Sequence, residues 1–276
     1  MAEDKEAYAH EQVKEIVDSP SAQAIHDAIY KEAESELERP TSNLFWSGLA
    51  AGLSMSLSMI VEGVLEAYLP EAEWTVLVSS FGYSMGFVIV ILGKQQLFTE
   101  NTLTPILPLL HDKTTEKFVN VMRLWGVVLF ANLLGTLLVA LAVAHTFAFD
   151  PHVLDTFAKL GHKAMEPGFG TVLLRGVFAG WLIALMVWLL PYAGTARVWI
   201  IILVTYVVAI GHFSHVIAGS METFTIAAMG ETTWGNVLLN YTLPALIGNI
   251  LGGVVLVAAI NHLQISSGKK EGSPTQ

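Results

Sequence analysis

The chain has 276 residues, 53% of them hydrophobic and only 14% charged, a composition typical of a membrane protein and unlike that of a soluble domain. It contains no cysteine, which excludes disulfides, thiolate metal sites and a cysteine nucleophile. Most of the formal charge of -10 comes from residues 1–42, which hold four Lys and Arg against eleven Asp and Glu, so we expect a solvated acidic tail there.

The acidic segment carries apolar residues at helical spacing in two groups, from Val13 to Val17 and from Ala24 to Ile29. Between them, Ser19-Pro20-Ser21 resembles a break followed by a new helix cap. We therefore predict two short amphipathic helices and assign residues 1–42 to an acidic, cytoplasmic N-terminal tail.

Six apolar segments follow, each about 20 residues long, which is the length needed to cross the hydrocarbon layer. They run from Leu44 to Glu66, Val76 to Leu92, Phe118 to Phe147, Thr171 to Leu190, Val198 to Ile210 continued by Ser220 to Met229, and Val237 to Leu263. These spans predict an all-α membrane domain over residues 43–265 and leave 266–276 as a polar C-terminal tail.

Two of the spans are interrupted by polar stretches, the second at Gly93 to Asn101 and the fifth at Gly211 to Gly219. Irregular backbone at membrane depth survives only where it is packed against protein or lines a polar cavity. Paired interruptions of this kind are typical of a permeation site, and we expect a pore where they meet.

An internal repeat relates the third and sixth spans, because the run around Asn132 (Ala-Asn-Leu-Leu-Gly-Thr) matches the run around Asn249 (Gly-Asn-Ile-Leu-Gly-Gly). The chain therefore divides into two halves of three spans. Since three is odd, the second half is expected to be inverted relative to the first.

Orientation follows from the short connections, in which Lys and Arg concentrate on the cytoplasmic side. The segments before the first span, between the second and third, between the fourth and fifth, and at the C-terminus carry most of these cations. We expect both termini to be cytoplasmic.

His215 is the first candidate for function, because an ionisable side chain within a span costs about 2.5–3.5 kcal/mol on insertion scales. An imidazole there could donate a proton or a hydrogen bond to an arriving anion. The alternative is a neutral histidine that only completes the hydrogen bonds of the broken backbone. Lys163 either concentrates anions at the mouth or simply flanks a span, and the hydroxyl of Thr99 either coordinates an anion or satisfies its own loop.

Other polar residues have structural interpretations. His212 lies three residues before His215, but no further ligand has metal-site spacing, so we expect no metal and no cofactor. Lys94 and Glu100 bracket the first interruption and could pair with each other. We assign the carboxylates of Glu62, Glu66 and Glu222 to the water interface at span ends, outside the transport path.

Three motifs then carry a family resemblance. Leu97-Phe98-Thr99 resembles a Leu-Phe-Thr loop that interrupts a second span, Phe213 to Ala218 resembles a central Phe-Glu-His-Ser-Ile-Ala loop, and Pro244 to Gly253 resembles a Pro-x-x-x-Gly-Asn-Ile-x-Gly-Gly signature. His162-Lys163 precedes the fourth span, as in the same family. In this order, within six spans, the motifs resemble the formate/nitrite transporter family of pentameric anion channels.

The resemblance implies an aquaporin-like bundle of six spans, with one pore per subunit of a homopentamer in the plasma (inner) membrane, passing small monovalent anions or their weak acids. The implied roles are a cytoplasmic-side constriction (Leu97, Phe98, Thr99), a central histidine (His215), an outer-vestibule cation (Lys163), and apolar slit residues (Phe87 and Val208, with Tyr83 near the outer one).

The sequence departs from the family pattern beside the histidine. Ser214 replaces a residue that is usually acidic, Gly180 stands where an asparagine would often face the histidine, and Gln95 and Gln96 replace the small and acidic residues before the Leu-Phe-Thr loop. We expect a changed environment and a larger cavity around His215, with a substrate that need not be formate or nitrite.

We therefore predict passage of small anions or weak acids across the lipid bilayer, with proton coupling through His215 as a further expectation. The alternative is a channel for small neutral solutes, whose flux would not respond to pH or charge. An enzyme is not expected, because the polar loops contain neither a nucleophile with its base nor a metal set. No nucleic-acid partner is expected.

Overall fold

The computed structural model describes residues 20–260, apart from the side chains of residues 258 and 259, and within that range every regular element is a helix. The helices are α1 (Ala22–Leu37), α2 (Thr41–Tyr68), α3 (Thr75–Leu92), α4 (Ile106–His111), α5 (Thr115–His145), α6 (Pro151–Met165), α7 (Phe169–Leu189), α8 (Arg197–Ile210), α9 (Val216–Ala228), α10 (Trp234–Val237) and α11 (Leu243–Gly253). Short 3₁₀ turns occupy Glu100–Thr102, Leu190–Tyr192 and Gly194–Ala196, and π-helical segments occupy Leu238–Thr242 and Val254–Ala259.

Five helices in the described range are long and apolar enough to cross a membrane: Thr41–Tyr68, Thr75–Leu92, Thr115–His145, Phe169–Tyr192 and Trp234–Val257. Each coincides with a span predicted from the sequence. The predicted fifth span coincides instead with two shorter apolar helices, Gly194–Ile210 and Val216–Ala228. The chain is thus a helical protein with multiple candidate membrane crossings.

Glycines bring the long helices into close contact in two places. A Cβ atom added to Gly52 of α2 would overlap the backbone of Asn132 in α5, and one added to Gly180 of α7 would overlap the backbone of Asn249 in α11. In lipid, where the hydrophobic effect does not drive helices together, such close approach supplies much of the packing energy. Helix pairs α2–α5 and α7–α11 are therefore built alike.

The helix that follows α10 widens into a π-helical turn at Leu238–Thr242, just before Pro244. Proline has no N–H to donate, and its ring collides with the carbonyl of the residue four positions earlier, here Asn240. A π turn relieves that collision while the helix continues. As a result, the helix continues into α11, which carries Asn249.

Helix α1 realises the second of the two predicted tail helices. It begins where the Ser21 hydroxyl accepts a hydrogen bond from the Ala24 N–H at 3.1 Å, and it buries Ile29, Ala33 and Leu37. The first predicted tail helix, the end of the sixth predicted span and the C-terminal tail lie outside the described residues. The division of the chain into tail and membrane domain stays a prediction.

Helix α6 was not anticipated from the sequence. Pro151 stands at its first turn, a position that suits proline, and Val153, Phe157 and Leu160 form one buried apolar face. Phe157 fits against Gly63 of α2, where a Cβ would collide with its ring. The helix therefore lies on the bundle and carries Lys163 in its last turn.

Candidate functional site

The two interruptions share one backbone conformation. After α3, Lys94 has a φ angle of 52°, and after α8, His212 has a φ angle of 50°. Left-handed backbone is unusual for residues other than glycine, and it ends both helices in the same way. Three residues beyond each turn lie Leu97 in the first interruption and His215 in the second.

Asn132 fastens the first interruption to the bundle. Its Oδ1 accepts a hydrogen bond from the Phe98 N–H at 2.9 Å, and its Nδ2 donates to the carbonyls of Gly48 at 2.7 Å and Gln96 at 2.9 Å. The side chain is fully buried. The amide thus satisfies backbone groups that the broken helix leaves unpaired.

Asn249 makes the equivalent bonds in the second interruption. Its Oδ1 accepts from the Val216 N–H at 2.8 Å, and its Nδ2 donates to the carbonyls of Gly176 at 2.9 Å and Ser214 at 2.8 Å. The sequence repeat around Asn132 and Asn249 therefore corresponds to a repeated set of hydrogen bonds. Asn249 holds the loop of the histidine and lies behind it.

His215 is held through both ring nitrogens. Nδ1 accepts a hydrogen bond from the Ala218 N–H at 3.1 Å and so caps the start of α9, while Nε2 lies 2.7 Å from Oγ1 of Thr99. A nitrogen that accepts carries no proton in the neutral ring, so Nε2 carries it and donates to Thr99. This contact joins the two interruptions, and both side chains are buried.

An apolar cluster surrounds this pair. The ring of Phe87 meets the imidazole edge-on, with centroids 5.0 Å apart. Phe87, Val208, Leu97 and Phe98 are all fully buried in one hydrophobic core. A solute passing here would lose its water, so the hydrogen-bonding groups of His215 and Thr99 are the ones it would meet.

A wide vestibule of about 500 Å³ opens on one side of the pair, lined by Val208 and Ser214 of the candidate site. Its charged and titratable lining residues are Glu62, Glu66, Tyr83, Lys163, Glu166, Arg175, His212, Glu222 and Tyr241. Lys163, in the last turn of α6, and Arg175, near the start of α7, are the cations of this lining.

A narrow vestibule of about 290 Å³ opens on the other side, next to α1. Gln96, Glu100 and Thr104 line it from the first interruption, and Arg197 lines it from α8. The His215–Thr99 pair and its apolar cluster belong to neither vestibule, apart from Val208. The arrangement is two polar cavities separated by a closed, mostly apolar stretch.

Two expectations about polar residues were wrong. Glu62, Glu66 and Glu222 line the wide vestibule, because helical rotation turns their side chains inward from positions that look like span ends. Lys94 pairs with Glu32 of α1, with Nζ 2.7 Å from Oε1, and not with Glu100.

The expected cavity beside Gly180 was also wrong. Gly180 faces the backbone of Asn249, and a side chain there would force α7 and α11 apart. Ser214 is buried at the edge of the wide vestibule, where its carbonyl accepts from Asn249.

Comparison with known proteins agrees with this geometry. The family model described as "Formate/nitrite transporter" matches residues 23–263. Inner membrane protein YfdC of Escherichia coli (strain K12) is 40% identical over 244 residues, covering 88% of this chain and 79% of that protein. The uncharacterized transporter YrhG of Bacillus subtilis (strain 168) is 30% identical over 247 residues, covering 86% of this chain and 90% of that protein.

Solved structures share the fold. A pentameric formate channel with formate bound superposes with a TM-score of 0.69 at 20% identity, covering 82% of this chain and 98% of that one. An ion channel of the same family gives a TM-score of 0.67 at 19% identity, covering 90% and 99%. The family resemblance found in the motifs is confirmed, and the chain belongs to the formate/nitrite transporter family.

Proposed function

We propose that this protein passes small monovalent anions, or their weak acids, through a pore in each subunit of a homopentamer in the inner membrane. The observation that carries the proposal is the buried His215–Thr99 hydrogen bond, which closes a short apolar stretch between two polar vestibules. The names of similar proteins, among them the formate channel FocA of Haemophilus influenzae at 24% identity, support a small anion as substrate.

The proposal includes the topology. Helices α8 and α9 together form a fifth crossing of six, and the second crossing continues from α3 through the turn at Glu100–Thr102 into α4. The matching asparagine bonds support two related halves, and the Lys and Arg of the short connections support both termini in the cytoplasm. The wide vestibule then faces outward, and the narrow one, beside α1, faces inward.

The lining suggests how an anion crosses. Lys163 and Arg175 attract it into the wide vestibule, despite the carboxyls that share that space. Beyond Val208 the path is dry, and an anion there gains a hydrogen bond from Nε2–H of His215 by taking the place of the Thr99 hydroxyl. Leu97 and Phe98 form the remaining constriction before the narrow vestibule.

Proton coupling is part of the proposal, with a condition set by the geometry. In the described conformation Nδ1 of His215 accepts from Ala218, so the ring has one proton and serves as a hydrogen-bond donor. A ring that delivers a proton must first bind a second one at Nδ1, which breaks the cap of α9. Proton transfer by His215 therefore requires movement at the start of that helix.

Passage of small neutral solutes is the alternative, favoured by the apolar character of the closed stretch. A purely apolar constriction would show no preference for charged substrates and no dependence on pH. The buried imidazole argues for the anion, since a path for neutral solutes does not need it.

The test is flux into liposomes of formate, nitrite, acetate, lactate, hydrosulfide and glycerol, from about pH 5 to about pH 8 around the imidazole's usual range. We expect flux of one or more anions that increases as pH falls and is strongly reduced by His215→Ala. If only glycerol or water moves, and His215→Ala matches the parent, the proposal is wrong.

A further inference from the structure

Glu62 is the most unusual side chain of the wide vestibule. It lies on α2, only 8% of it is exposed, and what is exposed faces the cavity. Within residues 20–260 it takes part in no hydrogen bond and no ion pair. An ionised carboxylate that is buried without a donor is costly, so a carboxyl in this position has a reason to hold a proton.

Glu222 supplies a second carboxyl in the same space. It lies in the middle of α9, is half-buried, lines the vestibule, and acts electrostatically on Glu62. Two carboxylates that face the same cavity repel each other, and a proton bound to either one removes the repulsion. The pair is therefore suited to carry one proton, on one or the other carboxyl.

The other charged and titratable side chains that line the cavity come from several helices and from the second interruption. Glu66 lies on α2, Tyr83 on α3, Lys163 on α6, Arg175 on α7, His212 in the second interruption and Tyr241 in the π segment, with Glu166 at the end of α6. Lys163 acts on both Glu62 and Glu222. It can hold an anion beside a carboxyl that is able to release a proton.

We propose that Glu62 and Glu222 form a proton-donating site for weak-acid anions. This inference rests on the proposed transport of anions. The O–H bond of the protonated glutamic acid breaks, the proton passes to an oxygen of the substrate anion, and the products are the neutral acid and a Glu carboxylate. A hydronium ion from the outer solution then gives a proton to the carboxylate and becomes water, so that one proton enters with each substrate.

This assignment explains how a histidine that caps a helix is compatible with passage of a neutral acid. Nδ1 of His215 is occupied by the Ala218 N–H, and the ring has no proton to spare in that state. A substrate protonated in the vestibule reaches the dry stretch already neutral. His215 then needs only to donate a hydrogen bond from Nε2.

A rival account gives these acids the opposite effect. If Glu62 and Glu222 only contribute negative charge, they repel anions, and removing them raises the local anion concentration. Replacing the acids by glutamine would then increase flux most at high pH, where the carboxyls are ionised. The two accounts therefore predict changes of opposite sign.

The experiment measures formate uptake and internal pH together in liposomes that hold a pH-sensitive dye. For the Glu62→Gln, Glu222→Gln double variant, we expect formate uptake at about pH 7.5 to fall about tenfold or more, with fewer protons entering per formate. The loss should shrink toward pH 5, where bulk water supplies more neutral acid. The Glu62→Asp variant, which keeps a carboxyl at this position, should retain much of the parent's rate of formate uptake.

The Glu71→Gln, Glu73→Gln double variant serves as the charge-matched control, because both residues are exposed on the loop before α3 and neither lines the vestibule. It should retain the pH profile of the parent. If the double variant fails to assemble on size-exclusion chromatography, the single variants carry the test, and each should be slower than the parent at about pH 7.5.

A parent protein that carries no anion would overturn the proposed function. A parent that carries formate, together with a double variant that keeps its pH profile and proton uptake or becomes faster, would overturn this inference alone.

Discussion

The two interruptions have the same backbone and different chemistry. Each begins at a left-handed residue, and each is fastened by three hydrogen bonds from a buried asparagine. At the matching positions, however, one presents the apolar Leu97 and the other the imidazole of His215. The scaffold is thus duplicated, while the polar function is concentrated in one half.

The largest effect is expected from removing an asparagine. Asn132→Ala and Asn249→Ala each leave two buried backbone groups of an interruption without a partner and remove a third bond to a helix carbonyl, and we expect each to lower the free energy of unfolding by about 3 kcal/mol or more. Asn240→Ala, on the exposed face before α11, should cost no more than about 0.5 kcal/mol. Thermal unfolding in detergent measures the stability of all three variants. A large difference between the losses of Asn132→Ala and Asn249→Ala would show that the two interruptions are not held equivalently.

The next effect separates the two tasks of His215. His215→Leu makes the second interruption resemble the first, so we expect loss of anion flux and loss of the α9 cap, with about 1 kcal/mol less stability. His215→Asn should lose flux similarly, because its shorter side chain does not reach Thr99, but it should keep the cap and the stability. Parent-like flux in the asparagine variant would show that the imidazole is not needed.

A smaller effect concerns the left-handed turns. His212→Gly should raise the free energy of unfolding by about 0.5–1 kcal/mol, because glycine adopts a positive φ without steric cost. Lys94→Gly removes the same strain but also the exposed ion pair with Glu32, worth about 0.2–1 kcal/mol, so its net change should be near zero. Chemical denaturation of both variants measures these changes. Equal gains in the free energy of unfolding would mean that the ion pair between Lys94 and Glu32 contributes nothing.

The smallest effect is expected beside the first interruption, at Glu36 of α1. Burial raises the pKa of this carboxyl above its usual 4.5, and Arg39 opposes the shift. Docked α1 therefore favours protonated Glu36, so docking is strongest below about pH 4.5 and weakens as pH rises through the raised pKa. The protection factors of the α1 amides, which remove the intrinsic rise of exchange with pH, should fall over that range, and Glu36→Gln should abolish the fall.

The sequence predicted the parts of the fold that depend on the order of residues. Long apolar runs located the main helices, and the polar stretches around Leu97 and His215 located the interruptions. The repeat around Asn132 and Asn249 indicated a paired structure, although its hydrogen bonds were not foreseen. The proposed alternative for His215, a neutral ring that satisfies broken backbone, also describes its bond to Ala218.

What could not be predicted depends on how each helix is rotated. Glu62 and Glu222 face a cavity, and Gly180 faces a neighbouring helix, because of packing that spacing along one span does not reveal. Helix α6 did leave a signal, since Val153, Phe157 and Leu160 recur at helical spacing. It was missed because the segment is short and too polar to resemble a span.

The asparagine bonds also restrict how a pore of this design opens. The Asn132 side chain joins its loop to the Gly48 carbonyl of α2, and the Asn249 side chain joins its loop to the Gly176 carbonyl of α7. One turn further along these helices, a Cβ atom at Gly52 or Gly180 would overlap the backbone of the neighbouring helix. Sliding or tilting those helices would break buried bonds in both halves. In the proposed pore we therefore expect the helix frame to stay fixed, and we expect the closed stretch to open by side-chain rotation rather than by an iris-like movement of helices.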